Sequence, residues 1–368
     1  MIPVSEPLLD ERALAFVEEA VRSGWVSSEG RYIAEFERRW AEYCGVAHGV
    51  AVCNGTVALE VAMAALALPP GSEVILPSFT IISCVAALLR TGCRPVLVDC
   101  EADTWCLDVA EVERKITDRT RAIMPVHIYG HMADMNPLMD LARKFKLAII
   151  EDAAEAHGGE YHGRRAGGIG TLSCFSFYAN KIVTTGEGGM VVTDDAKLAD
   201  RARSLRNLCF RREQRFLHAE LGYNFRMTNL QAAIGVAQVD KIEDHLRRKR
   251  AMAARYTEQL RDLRGLQLPV ERPGVKNVYW MYGIVLDDAV PMDAVTLAAR
   301  LKAEGVDTRP FFLGMHEQPV LRELGLFAGE RYPVTERIAR RGLYLPSGLG
   351  LDEAQIDTVC AALKRCLS

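Results

Sequence analysis

Between residues 50 and 195, short apolar runs alternate with longer segments of helical period, and this alternation narrows the possible folds more than any other feature of the chain. Strands separated by helices come together as a mostly parallel sheet, with the crossover helices covering its faces. The pattern predicts strands at 73–76, 94–98, 121–125, 147–151, 173–176 and 189–193, and helices over 56–67, 80–91, 133–145 and 195–206. In the first of these helices Leu59, Ala62, Met63 and Leu66 fall on one face. From Thr228 a helical stretch runs with little interruption to a break at Pro269, Pro273 and Gly274. A strand at 278–286, a helix near 293–304, a short strand at 306–309 and a terminal helix at 352–366 then suggest a small α+β unit. The expected division is a large domain over 1–250 and a small one over 251–368.

A chain of 368 residues is long enough for a substantial core with a smaller appended unit. Its net charge of −3 weighs against a general nucleic-acid binder. Arg201, Arg203, Arg206, Arg211, Arg212 and Arg215 are the one cluster that suits a polyanion, and a solvated helix face running into a loop predicts the same letters. The ten cysteines are scattered, with no Cys-x-x-Cys pair and no histidine at zinc spacing. They read as reduced, buried thiols of a cytoplasmic protein, with no metal site. The first residues, MIPVSEPLLDERALAF, are acidic where a signal peptide needs a basic region, so no export is expected. No apolar run approaches about 20 residues, so no membrane span is expected.

Three segments carry chemistry. Glu151-Asp152-Ala153-Ala154-Glu155 ends an apolar strand, and ligands of parallel sheets sit beyond the carboxyl ends of the strands. Acidic side chains there face a site or cap the next helix, and Asp152 is the candidate partner of a cationic group. Phe175-Ser176-Phe177-Tyr178-Ala179-Asn180-Lys181 precedes Thr184-Thr185-Gly186-Glu187-Gly188-Gly189. A lysine between a strand and a glycine-rich turn can occupy a cleft where its amine loses a proton easily, as imine chemistry requires. Asn54-Gly55-Thr56 opens a helix, where free N–H groups and the helix dipole suit a phosphate; an ordinary cap gives the same residues.

In chain order these three supply a phosphate anchor, a partner for a pyridinium nitrogen and an imine-forming lysine, the needs of pyridoxal 5′-phosphate (PLP). With GWVSSEGRYIAEFE, CNGTVAL, LPSFT, MPVHIYGHMADM, IIEDAAEAHG, FSFYANKIVTTGEGGM, LGYNFRMTNLQAAIG, YWMYGIVL and TRPFFLGMHEQP, the chain resembles the DegT/DnrJ/EryC1/StrS sugar aminotransferases over nearly its whole length.

The resemblance implies a fold type I PLP-transferase, with a mostly parallel seven-stranded-type sheet flanked by helices and a small C-terminal α+β domain. It implies that Lys181 joins the cofactor as an imine and later shuttles a proton, and that Asp152 pairs with the pyridine nitrogen. Gly55, Thr56 and Ser176 would hold the phosphate, joined by Asn224 from the neighbouring subunit of a homodimer. Within one chain, Asn224 would instead cap the helix starting near Thr228. Ile81 stands where the family commonly places an aromatic ring against the cofactor. Glu155 and His127 fall near the cofactor, His127 otherwise bonding to backbone at a strand end. Trp25, Ser27, Arg309 and His316 lie in loops the family uses around its nucleotide sugar. The implied reaction passes the amino group of L-glutamate to C4 of a nucleotide-linked 4-keto-6-deoxy sugar, a GDP-linked 4-keto-6-deoxymannose ahead of dTDP or UDP sugars. A sugar 3-dehydratase of the same fold would carry histidine in place of Lys181. An amino-acid aminotransferase would need a carboxylate clamp, usually an arginine of the small domain, for which Arg309 could be mistaken, but the long match to the sugar enzymes weighs against that use. A turnover-free binding module would have no use for Lys181, Asp152 and Thr56 together.

Overall fold

The computed structural model describes residues 1–211, 214 and 216–367, so Arg212 and Arg215 of the arginine cluster lie outside the described residues. Seven strands form the main sheet in the order His48–Val52, Gly189–Thr193, Leu172–Ser176, Ala148–Asp152, Thr120–Ile123, Glu73–Pro77 and Arg94–Val98. Only Gly189–Thr193 runs against the others, pairing antiparallel with the strands on both sides. The remaining neighbours are parallel. The carboxyl ends of Val52, Pro77, Asp152 and Ser176 therefore share one edge, where the loops that follow them can converge.

The six strands expected in this region are present, and the sheet gains a seventh, His48–Val52, that the alternation did not reveal. Its residues HGVAV follow two helices that the alternation also did not reveal, Glu11–Ser23 and Arg31–Cys44, and precede the expected helix Gly55–Leu66. Both missed helices end on glycines in the left-handed region, Gly24 at φ 76° and Gly45 at φ 77°, which an L side chain adopts at a cost. The helix Gly55–Leu66 is buried on nearly every side rather than along one stripe, because it is packed between the sheet and neighbouring helices. The long stretch after Thr228 is two helices, Asn229–Val239 and Ile242–Leu260, broken at Asp240 and Lys241.

A second sheet orders Leu266–Gln267, Tyr282–Leu286, Gly342–Leu345 and Arg309–Pro310, all antiparallel. The expected strand at 278–286 begins only at Tyr282, and Val278–Met281 form its approach. Around this sheet Tyr256, Leu260, Ile284, Leu297, Leu343 and Val359 make a core of their own. The helix Ile242–Leu260 passes unbroken through residues 250 and 251. In the arginine cluster, Arg201 pairs with Glu220 and Arg203 with Asp200 at the surface, as the solvated-face reading expects, whereas Arg206 is largely buried and donates to Glu37 and to the Ala51 carbonyl. All ten cysteines are free thiols, nine of them buried. Among the described residues no helix is long and apolar enough to cross a membrane, and no cluster of three or more His, Cys, Asp or Glu could hold a metal.

Candidate active site

Loops from the carboxyl edge of the main sheet surround a cavity of about 840 Å³. Gly55, Thr56, Ile81, Asp152, Glu155, Ser176 and Lys181 all line it, although they are spread over more than a hundred residues of sequence. Asn54 caps the helix Gly55–Leu66 by accepting the Val57 N–H at 3.0 Å, so Gly55 and Thr56 are the first turn presented to the cavity. A Cβ at residue 55 would lie 2.5 Å from that of Ser176, so glycine is needed for the helix start to approach the end of strand Leu172–Ser176. The hydroxyls of Thr56 and Ser83 bond at 2.8 Å.

At the other end, Lys181 is only 10% exposed, with its Nζ 3.9 Å from Glu155 Oε1 and 3.6 Å from the centre of the Trp280 ring. Burial lowers the Lys181 pKa, and the charges of Glu155 and Asp152 oppose that shift. The same burial raises the pKa of Glu155, whose other oxygen accepts the Tyr129 N–H at 2.7 Å. Beneath them His157 is held neutral, its pKa pushed down to about 3 by burial and by Lys181, and its Nδ1 accepts from the Val183 amide at 3.2 Å. Trp280 is fixed by its indole N–H, which donates to the Asn180 carbonyl at 2.8 Å.

The two adjacent carboxylates of strand Ala148–Asp152 have opposite fates, because successive side chains leave a strand on opposite faces. Asp152 lines the cavity. Its Oδ2 accepts from the Cys84 thiol at 3.0 Å and its Oδ1 from the Ala154 amide at 3.1 Å. Glu151 does not face the site, contrary to the reading of this segment as a row of site-facing acids. It is fully buried and accepts from the amides of Gly167, Ile169 and Gly170, from Ser173 Oγ and from His127. These bonds hold its pKa below the ordinary carboxylate range despite burial.

The model of the DegT/DnrJ/EryC1/StrS aminotransferase family matches residues 7–364. The chain belongs to that family. It is 42% identical to the GDP-perosamine synthase of Caulobacter vibrioides, over 100% of this chain and 98% of that one. It is 39% identical to the GDP-perosamine synthase of Escherichia coli O157:H7, over 100% and 99%. Among solved structures, the aminotransferase TlmJ from Streptoalloteichus hindustanus superimposes with a TM-score of 0.93 at 32% identity, covering 100% of this chain and 99% of that one. As a member of this aminotransferase family the chain is a transaminase, and its cofactor is PLP.

The cavity of this family member fits the cofactor on its own terms. The helix start at Gly55 and Thr56 offers N–H groups and a hydroxyl to a phosphate. Asp152 offers a fixed carboxylate to a ring nitrogen, and Lys181 a buried amine with a lowered pKa. Asn180 Oδ1, on the cavity wall, is buried without a hydrogen-bond partner. Ile81, 42% exposed, supplies an apolar wall where many relatives were expected to place a ring.

Six other residues marked in the sequence do not line this cavity. Asn224 is exposed, with its backbone bridged to Asn207, and its neighbour Phe225 is the one on the cavity wall. It does not cap the following helix, since Thr228 does so in a reciprocal box with Gln231. Trp25 lies in a separate cleft of about 350 Å³ with Arg31 and Tyr32, and the Ser27 carbonyl accepts the Asn229 amide at 2.6 Å. His127 is fully buried, its Nε2 3.0 Å from Glu151 and its Nδ1 accepting from Ala133 at 3.2 Å, which is the backbone-bonded alternative. His316 is likewise buried, between Ser78 at 2.8 Å and Glu336 at 3.3 Å. Arg309 pairs with Asp307 in a cleft that shares Tyr178, Asn180 and Tyr344 with the main cavity.

Trp280, Cys84, Ser83, Phe312 and Tyr344 were not marked, though they line the cavity or touch its residues. Trp280 stands about a hundred residues from Lys181 in sequence, and no local pattern ties one to the other.

Proposed function

We propose that this aminotransferase moves the amino group of L-glutamate to C4 of a GDP-linked 4-keto-6-deoxymannose, yielding GDP-perosamine, in a homodimer whose sites are shared between chains. The substrate reading is supported by full-length likeness to two GDP-perosamine synthases. The observation that carries the chemistry is that Lys181, Asp152 and the Gly55–Thr56 helix start border one cavity.

PLP, when bound, supplies the electron sink that amino transfer requires. Lys181 brings the nucleophilic amine, which burial biases toward its neutral form, and can take up and return a proton at Nζ. Trp280 and Glu155 hold that amine from two sides. Asp152 presents its carboxylate at the position proposed for the ring nitrogen, and Thr56 and Ser176 orient the phosphate. Residues 1–250 serve as the cofactor-binding domain, and residues 251–368 as the small domain that lends Trp280, Phe312 and Tyr344 to the wall. Donor and sugar would use this one cavity in turn, so the kinetics should be ping-pong.

The test offers GDP-, dTDP- and UDP-linked 4-keto-6-deoxy sugars with L-glutamate and reads the products by mass. Amination of the GDP sugar is expected. Reaction of only dTDP or UDP sugars would remove the named product and keep the class. The shared site has its own test, because the Asn224 side chain is free of the capping role. Mixing Lys181→Ala and Asn224→Ala chains should create one intact site per mixed dimer, with activity above the sum of the parents at limiting PLP. Strictly additive activity in verified mixed dimers would count against Asn224 acting in the partner's site.

A further inference from the structure

The first turn of the helix Ile82–Arg90 touches both ends of the cavity through consecutive residues. Ser83 bonds Thr56 at 2.8 Å, and Cys84 donates its thiol proton to Asp152 Oδ2 at 3.0 Å. We infer that Cys84 is a positioning residue, whose thiol aims the Asp152 carboxylate at the ring nitrogen of the cofactor; the inference rests on the PLP reading of Asp152 given above.

Asp152 has few ways to turn. Its Oδ1 is occupied by the Ala154 amide and its Oδ2 by Cys84, so the plane of the carboxylate is set by one bond from its own loop and one from another helix. Cys84 is itself fixed. It is fully buried, and Thr80 Oγ1 lies 3.2 Å from its sulfur. The thiol has a single proton, and with that proton on Asp152 the sulfur can only accept from Thr80. Burial and the nearby Asp152 charge push the thiol pKa well above its ordinary value, which keeps the proton in place.

The choice of donor matters to the carboxylate. A thiol is a weak donor, so it fixes direction while drawing off little of the negative charge left for a ring N–H. A hydroxyl at the same position would preserve the direction and draw more strongly. An apolar side chain of similar shape would preserve packing and release the carboxylate to turn.

These cases separate in holoenzyme loaded with PLP isotopically labelled at the ring nitrogen. The ring-nitrogen chemical shift across pH reports protonation of the ring directly, and a PLP titration reports affinity. Cys84→Val is expected to move the shift toward that of a neutral pyridine and to weaken PLP binding about three- to tenfold, the size of one hydrogen bond. Cys84→Ser, which keeps a donor, should remain within about twofold of the unsubstituted enzyme in affinity, with the shift displaced less than in Cys84→Val. If Cys84→Val does not fold by circular dichroism, Cys84→Ala removes the donor without adding a branch and replaces it. The inference is overturned if the donor-free variants match the unsubstituted enzyme, or if Cys84→Ser is altered as much as they are, while Asp152→Asn moves the shift. Should Asp152→Asn leave the shift unmoved, the failure lies in the reading of Asp152 itself.

Discussion

Two lysines touch Trp280 at different atoms, and their surroundings differ in one decisive way. Lys181 lies over the indole ring at 3.6 Å, with Glu155 nearby and the cavity before it. Lys249, on the helix Ile242–Leu260, donates from Nζ to the Trp280 carbonyl at 2.7 Å and to the Ser347 carbonyl. Burial lowers both pKa values, that of Lys249 to about 7. A depressed pKa therefore does not single out a nucleophile. Lys181 is distinguished by open volume and two carboxylates at one end of its side chain, whereas Lys249 spends its protons on backbone carbonyls between the two cores.

The sharpest way to break this contrast is to remove each amine. Lys181→Ala or Lys181→Arg should abolish amination, by roughly three orders of magnitude or more, with the circular dichroism of the fold unchanged. Turnover near that of the unsubstituted enzyme would dissolve the distinction. Lys249→Met should act in the opposite sense. Two buried carbonyls lose their donor, which costs about 1–3 kcal/mol of stability by denaturant unfolding, while kcat/KM per folded chain holds within about threefold. A large loss of turnover with intact stability would make Lys249 part of the catalytic machinery.

The smallest effect is in pH. Because the folded pKa of Lys249 lies below its ordinary 10.5, the unfolded chain binds more protons between about pH 7 and 10.5, and stability from this group rises with pH across that window. The stability advantage over Lys249→Met should therefore be larger at pH 9 than at pH 6. An advantage that shrinks with rising pH would show that Lys249 is held charged by a partner rather than discharged by burial.

The same contrast explains what could be read in advance. The strands at 73–77, 94–98, 148–152, 172–176 and 189–193 were legible because their apolar runs are bounded by helical segments or turns. The strand His48–Val52 was not, since five residues directly after the unrecognised helix Arg31–Cys44 show no alternation to mark them. Likewise the single helix expected after Thr228 hid a break, because Asp240 and Lys241 are unremarkable in a charged helical pattern.

Sequence alone determined that a parallel sheet would present a helix start, an acid and a lysine at its carboxyl edge, because each of these signals is encoded within a few consecutive residues at the end of a strand. Gly55, Thr56, Asp152, Glu155, Ser176 and Lys181 accordingly meet in one cavity. The tertiary structure decided everything that depends on pairing across distance. It turned Glu151 away from the site while Asp152 faced it, took His127 and His316 into buried hydrogen bonds, and brought Cys84 to Asp152 across 68 residues. It also placed Trp280 beside Lys181 and gave Lys249 only carbonyls to bind. A side chain's chemistry is carried by its residue type, but its partners and its exposure are set only when distant segments pack, and those two quantities separate Lys181 from Lys249.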